Sequence, residues 1–284
     1  MNKTIKDQVF DEERALYNLS GAEIINCRFE GPADGESALK ECRNIEVSDC
    51  SFSLRYPLWH TEGFTMTSSE MASTSRAPIW YAGNGVIDQC RIEGVKAVRD
   101  CKNITIKNSF ISSEEFGWKC DGLVIQDSEI ESAYFLLDTK NVTIENFKLK
   151  GKYSFQYTEN ITIKNSVLDT KDAFWHSKGL TVENSIVKGE YLGWFSEGLT
   201  LINCHISGTQ PLCYCKELKL INCTMEDTDL SFEYSEVEAD VTGNIISVKN
   251  PKSGYIHADS IGDIILENSV MESYCEITIR GENK

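Results

Sequence analysis

The sequence predicts an all-β protein, a right-handed parallel β-helix of about 13 coils, mostly 19 residues long, with three short strands per coil. Three observations carry this. One pattern recurs every 19 residues from Ile104 to Leu218: Asn or Gly, apolar, any, apolar, any, Asn or Asp, usually a small residue, any, apolar. Copies begin at Ile104, Leu123, Val142, Ile161, Leu180, Leu199 and Leu218, with looser ones at Ala22, Ile45, Phe64, Gly85, Ala239 and Ile264. Equivalent positions hold the same residue types, so the copies form columns when stacked. A fixed period of this length marks supersecondary units that bury their apolar faces against one another.

The elements follow in order from the first apolar residue of each copy, taken as position zero. In Ile104-Thr105-Ile106-Lys107 apolar and polar residues alternate, as a strand with one buried face requires. The preceding residue is Asn or Gly in Gly21, Asn44, Gly63, Asn84, Asn103, Gly122, Asn141, Asn160, Gly179 and Gly198, which tolerate the left-handed backbone of a tight corner. Position four is mostly Asn, as in Asn108, Asn146, Asn165, Asn184, Asn203 and Asn222, so stacked amides predict an Asn ladder at one corner. Position five is Ser or Cys in most coils and position sixteen is small again, which assigns most of the 11 cysteines to inward columns. The third strand is expected at positions twelve to sixteen.

A continuous repeat has no internal boundary, so a single β-helix domain is expected over residues 1–284. Within it, residues 1–21 are read as an N-terminal cap and partial first coil, and residues 272–284 as a C-terminal cap strand. The opening Met1 to Gln8 is polar and no apolar run is long enough to span a bilayer, which sets a cytoplasmic expectation with no membrane partner. Acidic residues outnumber basic ones 44 to 28, for a net charge of −16, which disfavours nucleic acid. The Cys213-Tyr214-Cys215 run does not have zinc-motif spacing, and neither a metal nor a cofactor is expected.

Three strands per coil, amides at one corner, and stacked Ser/Cys and aliphatic columns resemble the pectin-lyase-like superfamily of right-handed parallel β-helices. The stretch from Gly31 to Glu41, with Leu54-Arg55-Tyr56-Pro57-Leu58-Trp59-His60, is also similar to an uncharacterised bacterial family of leaderless β-helix proteins. These resemblances imply the fold; the second implies no activity. Enzymes of the superfamily commonly work on an exterior groove along a sheet, but the Asn-Thr-Asp, Asp-Asp and His-Gly set of polygalacturonases is missing here, as is a calcium-binding acidic cluster with a catalytic Arg.

Two columns remain that stacking does not fully explain. Trp59, Trp80, Trp118, Trp175 and Trp194 all fall at position fourteen, where volume and a compensating exchange between Gln156 and Phe147 argue for an inward-facing stack. Arg99 interrupts it, either as a structural plug between indoles or as the floor of a binding site. Position fifteen is then expected to face outward, carrying Glu41, His60, Tyr81, Asp100, Lys119, Asp138, Tyr157, His176, Phe195, Tyr214 and Glu233. On successive rungs Asp100 and Asp138 would stand about 9.6 Å apart around Lys119. That overlaps the roughly 6.5 to 9.5 Å of inverting glycosidases. The bland alternative is a ladder of alternating charges.

The candidate catalytic residues are therefore His60, Tyr81, Asp100, Lys119, Asp138 and His176. Candidate substrate-binding residues are Asp34, Glu36, Arg55, Arg99 and Tyr157, the first two on a four-residue insertion in the Ala22 coil. The leading expectation is binding, with or without hydrolytic or lytic cleavage, of a small oligosaccharide along this stripe. The alternative is a non-catalytic scaffold whose outward aromatics bind a protein partner or a second copy as a homo-oligomer. A concave site with converging polar groups favours the enzyme; a flat face favours the scaffold.

Overall fold

The structure, a computed structural model, describes residues 3–30 and 36–281, which form two compact units divided after Phe147. Both are parallel β-solenoid, with about 14 turns of about 19 residues between them and no helix among the described residues. In the first unit the position-zero residues pair in register, Ala22 with Ile45, Ile45 with Phe64, then Gly85, Ile104 and Leu123. In the second, Ile161 pairs with Leu180, but Leu218 pairs with Val237, so Ala239 stacks on Leu220 at position two and is followed by Ile256 and Ile277. A rung also precedes the first repeat, for Lys3–Lys6 pairs in parallel with Ser20–Ile25 and places Lys3 beside Ala22.

The core follows the repeat. Ile24, Ile87, Ile104, Ile106, Leu123, Ile163 and Leu180 are fully buried from the first wall, and Phe29, Ile92, Ile111, Ile130 and Leu168 from the second. Space is shared between rungs: a Cβ on Gly85 would lie 2.2 Å from the Phe64 ring, so the glycine makes room for the large residue one coil below.

Left-handed backbone makes the corners. All ten Asn and Gly residues before position zero have positive φ, from 50° at Asn44 to 77° at Gly122. Position four does the same, including Asn26, Asp49, Gln89, Asn146 and Asn222. Amides bond between rungs there, Asn203 donating to Asn184 at 3.0 Å and Asn222 to Asn203 at 2.8 Å. These amides lie exposed at the corner, so each bond between rungs adds modestly to the stacking.

The Ser and Cys columns have a bonding role beyond small volume. The position-five N–H of one coil donates to the position-five side chain of the next, as from Cys50 to Ser69 Oγ, Cys90 to Ser109 Oγ, and Ser166 to Ser185 Oγ, each at 3.0 Å. That hydroxyl or thiol then donates to a carbonyl two residues back, Ser109 to Lys107 at 2.7 Å and Cys50 to Ser48 at 3.1 Å. Burial pushes the thiols up, to about 11 for Cys50 and Cys215 and about 12 for Cys213, so they are protonated at neutral pH.

The third wall departs from expectation. Its inward residues are at positions thirteen and sixteen, Leu58, Ile79, Val98, Leu136, Phe155 and Phe174 together with Thr61, Cys101, Cys120 and Thr139, all essentially buried. The five tryptophans are half-buried, so the Trp column faces outward and Arg99 lies on the surface with it, its side chain 20% exposed. Strand parity fails because position fifteen is left-handed in every coil from Glu41 to Tyr214, and position thirteen is left-handed too at Val98, Leu136, Phe155, Phe174 and Leu212. Alternation of side chains holds only along extended backbone.

Candidate functional site

Three of the five tryptophans in column fourteen make the same hydrogen bond, whereas Trp80 donates to Asp100 and Trp59 Nε1 is buried with no partner among the described residues. Trp118 Nε1 donates to the carbonyl of Tyr134 at 2.9 Å, Trp175 to Tyr191 at 2.6 Å and Trp194 to Gln210 at 2.8 Å, each sixteen residues ahead on the next turn. Gln156 makes the same bond with its amide, to Asp172 at 3.1 Å. The Trp-to-Gln exchange therefore preserves a donor on the outer wall, and the buried Phe147 is not its volume compensation.

Where the column holds Arg99, a polar cluster forms on the first unit. The guanidinium lies 5.1 Å over the Trp118 ring, with Nη1 3.0 Å from Glu115 Oε2 and Nε 3.4 Å from Asp100 Oδ2. Trp80 Nε1 donates to the same Asp100 oxygen at 3.0 Å, and Lys96 reaches Glu115 at 3.5 Å. The Asp100 carboxylate is thus folded back against Trp80 and Arg99. Lys119 and Asp138 stand exposed on the same wall, and neither makes an ion pair or side-chain hydrogen bond among the described residues.

Next to this cluster lies an aromatic group. His60 stacks on Tyr81 with centroids 5.0 Å apart and planes 9° apart, Trp59 on Trp80 at 5.9 Å, and Tyr56 is tilted against both indoles. Lys40 Nζ sits 4.4 Å over the Trp59 ring. Tyr81 is 46% exposed and also stacks on Trp80, at 5.1 Å and 16°; the position-fifteen column stops there, because the next rung carries Asp100 instead of a ring.

Glu36 pairs with Arg55 at 3.2 Å, and Asp34 lies outside the described residues. The acid that acts electrically with His60 is Glu41, whose carboxyl is held below its usual range by the Tyr17 hydroxyl at 2.7 Å and, to a smaller degree, by Lys40 and His60.

On the second unit position fifteen is an unbroken aromatic column. Tyr157 stacks on His176 at 4.9 Å, His176 on Phe195 at 5.1 Å and Phe195 on Tyr214 at 4.8 Å, with planes within 15°. Tyr234, not Glu233, continues it at 5.7 Å, because one extra residue shifts the register: the N–H of Tyr214 donates to the carbonyl of Glu233, the bond that position fifteen makes to position fourteen elsewhere. A charge ladder is present, but at position seventeen. Lys140 pairs with Asp121 at 3.6 Å in the first unit, and Lys178, Glu197 and Lys216 alternate on bridged rungs in the second. That alternation was readable in the sequence.

Fold and columns define the class, an all-β parallel β-solenoid protein. The chain belongs to the family described as "Protein of unknown function (DUF3737)", which it matches over residues 3–279. Similar solved structures include the A-module of mannuronan C-5 epimerase AlgE4 from Azotobacter vinelandii, with 12% identity over 99% of this chain and 90% of that one and a TM-score of 0.33. Another is the catalytic domain of a GH87 alpha-1,3-glucanase in complex with nigerose, 8% identical over 99% of this chain and 64% of that one, with a TM-score of 0.36. A third is the GH136 lacto-N-biosidase from Eubacterium ramulus, 10% identical over 98% of this chain and 63% of that one, TM-score 0.29. The chain thus spans less than two thirds of the glucanase and biosidase structures. No curated protein matches the sequence.

Proposed function

We propose that the third wall of the first unit binds a neutral oligosaccharide without cleaving it. The observation that carries this is the end of the Tyr81 stack. With Asp100 folded back, the rung beyond Tyr81 offers no ring, and two rung spacings, about 9.6 Å, separate Tyr81 from Lys119. A sugar ring entering that notch would lay its C–H face on Tyr81 and direct hydroxyls to Asp100, Arg99 and Lys119. Arg99, Asp100 and Glu115 are each about one-fifth exposed and already held by one another, so little side-chain freedom is lost on binding. Binding without cleavage is the preferred reading because Asp100 is engaged by two donors, Trp80 Nε1 and Arg99 Nε. A screen of neutral and acidic oligosaccharides, read for binding and for turnover, tests it. Product formation lost in Asp100→Asn would replace it with an enzymatic function.

A second reading applies to the second unit, where a specific observation favours a protein partner. Tyr157, His176, Phe195 and Tyr214 stack face on face in a run of four, Tyr157 at its start being 56% exposed. No notch interrupts them, so the surface suits a flat contact better than a sugar ring.

A further inference from the structure

The last turn of the second unit is open. The strand Tyr274–Ile279 pairs in parallel with Ser253–Ala258 on one side, and among the described residues nothing pairs its other edge. Ser260–Ile265 likewise pairs only with Asn244–Lys249. One rung earlier Ile256 and Ala258 are buried to 0% and 1% exposure, yet their stacked partners Ile277 and Ile279 remain half-exposed. Five of the 17 large exposed hydrophobic residues fall in this short stretch: Ile264, Leu266, Val270, Met271 and Tyr274. A cross-section of apolar core therefore meets solvent beside a row of unpaired backbone groups, the combination that recruits another strand.

From the residues on that edge we infer that it docks a second copy of the chain, strand Tyr274–Ile279 pairing antiparallel with itself across a twofold axis at Thr278. In that register Thr278 faces its own copy, Ile277 faces Ile279, and Glu276 faces Arg280. The apolar row meets the apolar row, and opposite charges meet. Glu276 has no side-chain partner among the described residues, whereas Arg280 is oriented by Asp240 and by Asp259 at 2.6 Å. The other open edge is a poor partner for this one. Lys3–Lys6 carries two lysines in four residues, the charge pattern that guards an edge, and its inward Ile5 is only 5% exposed. A closed pair through the unguarded edge follows rather than an open filament.

Sedimentation velocity of the full chain at micromolar concentration tests this, together with two variants. Wild type is expected at twice the monomer mass. Glu276→Lys places like charges opposite each other and is expected to sediment as a monomer with an unchanged melting curve. Thr278→Cys, in a Cys275→Ser background, is expected to form a covalent dimer on mild oxidation, because the twofold brings the two position-278 side chains together. A monomeric wild type overturns the inference. So does a dimer that survives Glu276→Lys while Thr278→Cys fails to cross-link, or a concentration-dependent series of larger oligomers.

Discussion

Gln156 donates its amide to the carbonyl of Asp172 at 3.1 Å, and this bond reproduces what Trp118, Trp175 and Trp194 do with an indole N–H. Four positions of the column thus share a donor that reaches the next turn, Trp118, Gln156, Trp175 and Trp194. The column's aromatic character adds stacking, Trp175 on Trp194 at 5.4 Å and 5°.

Exchange at residue 156 should follow donor capacity. Gln156→Trp is expected to keep the stability of wild type, whereas Gln156→Leu, which leaves the Asp172 carbonyl without this donor, should lose about 1 kcal/mol. Chemical denaturation of the three proteins measures the difference. Equal losses for Trp and Leu would remove the hydrogen bond as the reason for the column.

Asp172 should make stability depend on acidity. Its carboxyl is pushed above the usual range by burial, which outweighs Lys171 and Lys152 pulling it down. The folded state therefore holds the proton more tightly than the unfolded chain, and stability falls as pH rises from the unfolded value through the higher folded one. Asp172→Asn removes that loss and also suits the left-handed backbone, φ 48°. Its melting temperature should exceed that of wild type at neutral pH, and the gap should close in acid below the ordinary aspartate range. A variant that melts lower at neutral pH would contradict this.

Thiol reactivity should separate one cysteine from ten. Ten are buried, nine in the inward columns at positions five and sixteen and Cys213 at position fourteen, and only Cys275 is half-buried. Native protein treated with a thiol reagent near neutral pH should modify Cys275 first and the rest only on unfolding. Mass spectrometry of the modified chain reads this directly; rapid labelling of Cys204 or Cys223 would show that the columns open.

The fold was legible because each corner has its own chemistry. Asn108 and Ser109 announce a left-handed turn followed by an inward acceptor, and the same pair recurs often enough to fix the register of a coil. Trp80 and Trp118 were misplaced inside because the reading carried strand parity through Asp100, whose φ of 52° breaks it. No single residue type marks that corner: His60, Asp100, Lys119 and Phe195 all occupy it, and only the first two belong to types enriched in left-handed backbone. The position-fifteen stripe was legible from Glu41 to Tyr214, and failed at Glu233, where one extra residue puts Tyr234 in the column. What stayed hidden was how the side chains turn, since the folding back of Asp100 depends on Trp80 Nε1 and Arg99, two neighbours that spacing alone cannot orient.

Calorimetric titration of neutral oligosaccharides into wild type, Tyr81→Ala and Tyr157→Ala tests the proposed sugar site most directly. Loss of the Tyr81 face should weaken binding at least about tenfold, roughly 1.4 kcal/mol, while Tyr157→Ala binds like wild type. Binding unaffected by Tyr81→Ala, or absent from wild type, would contradict it.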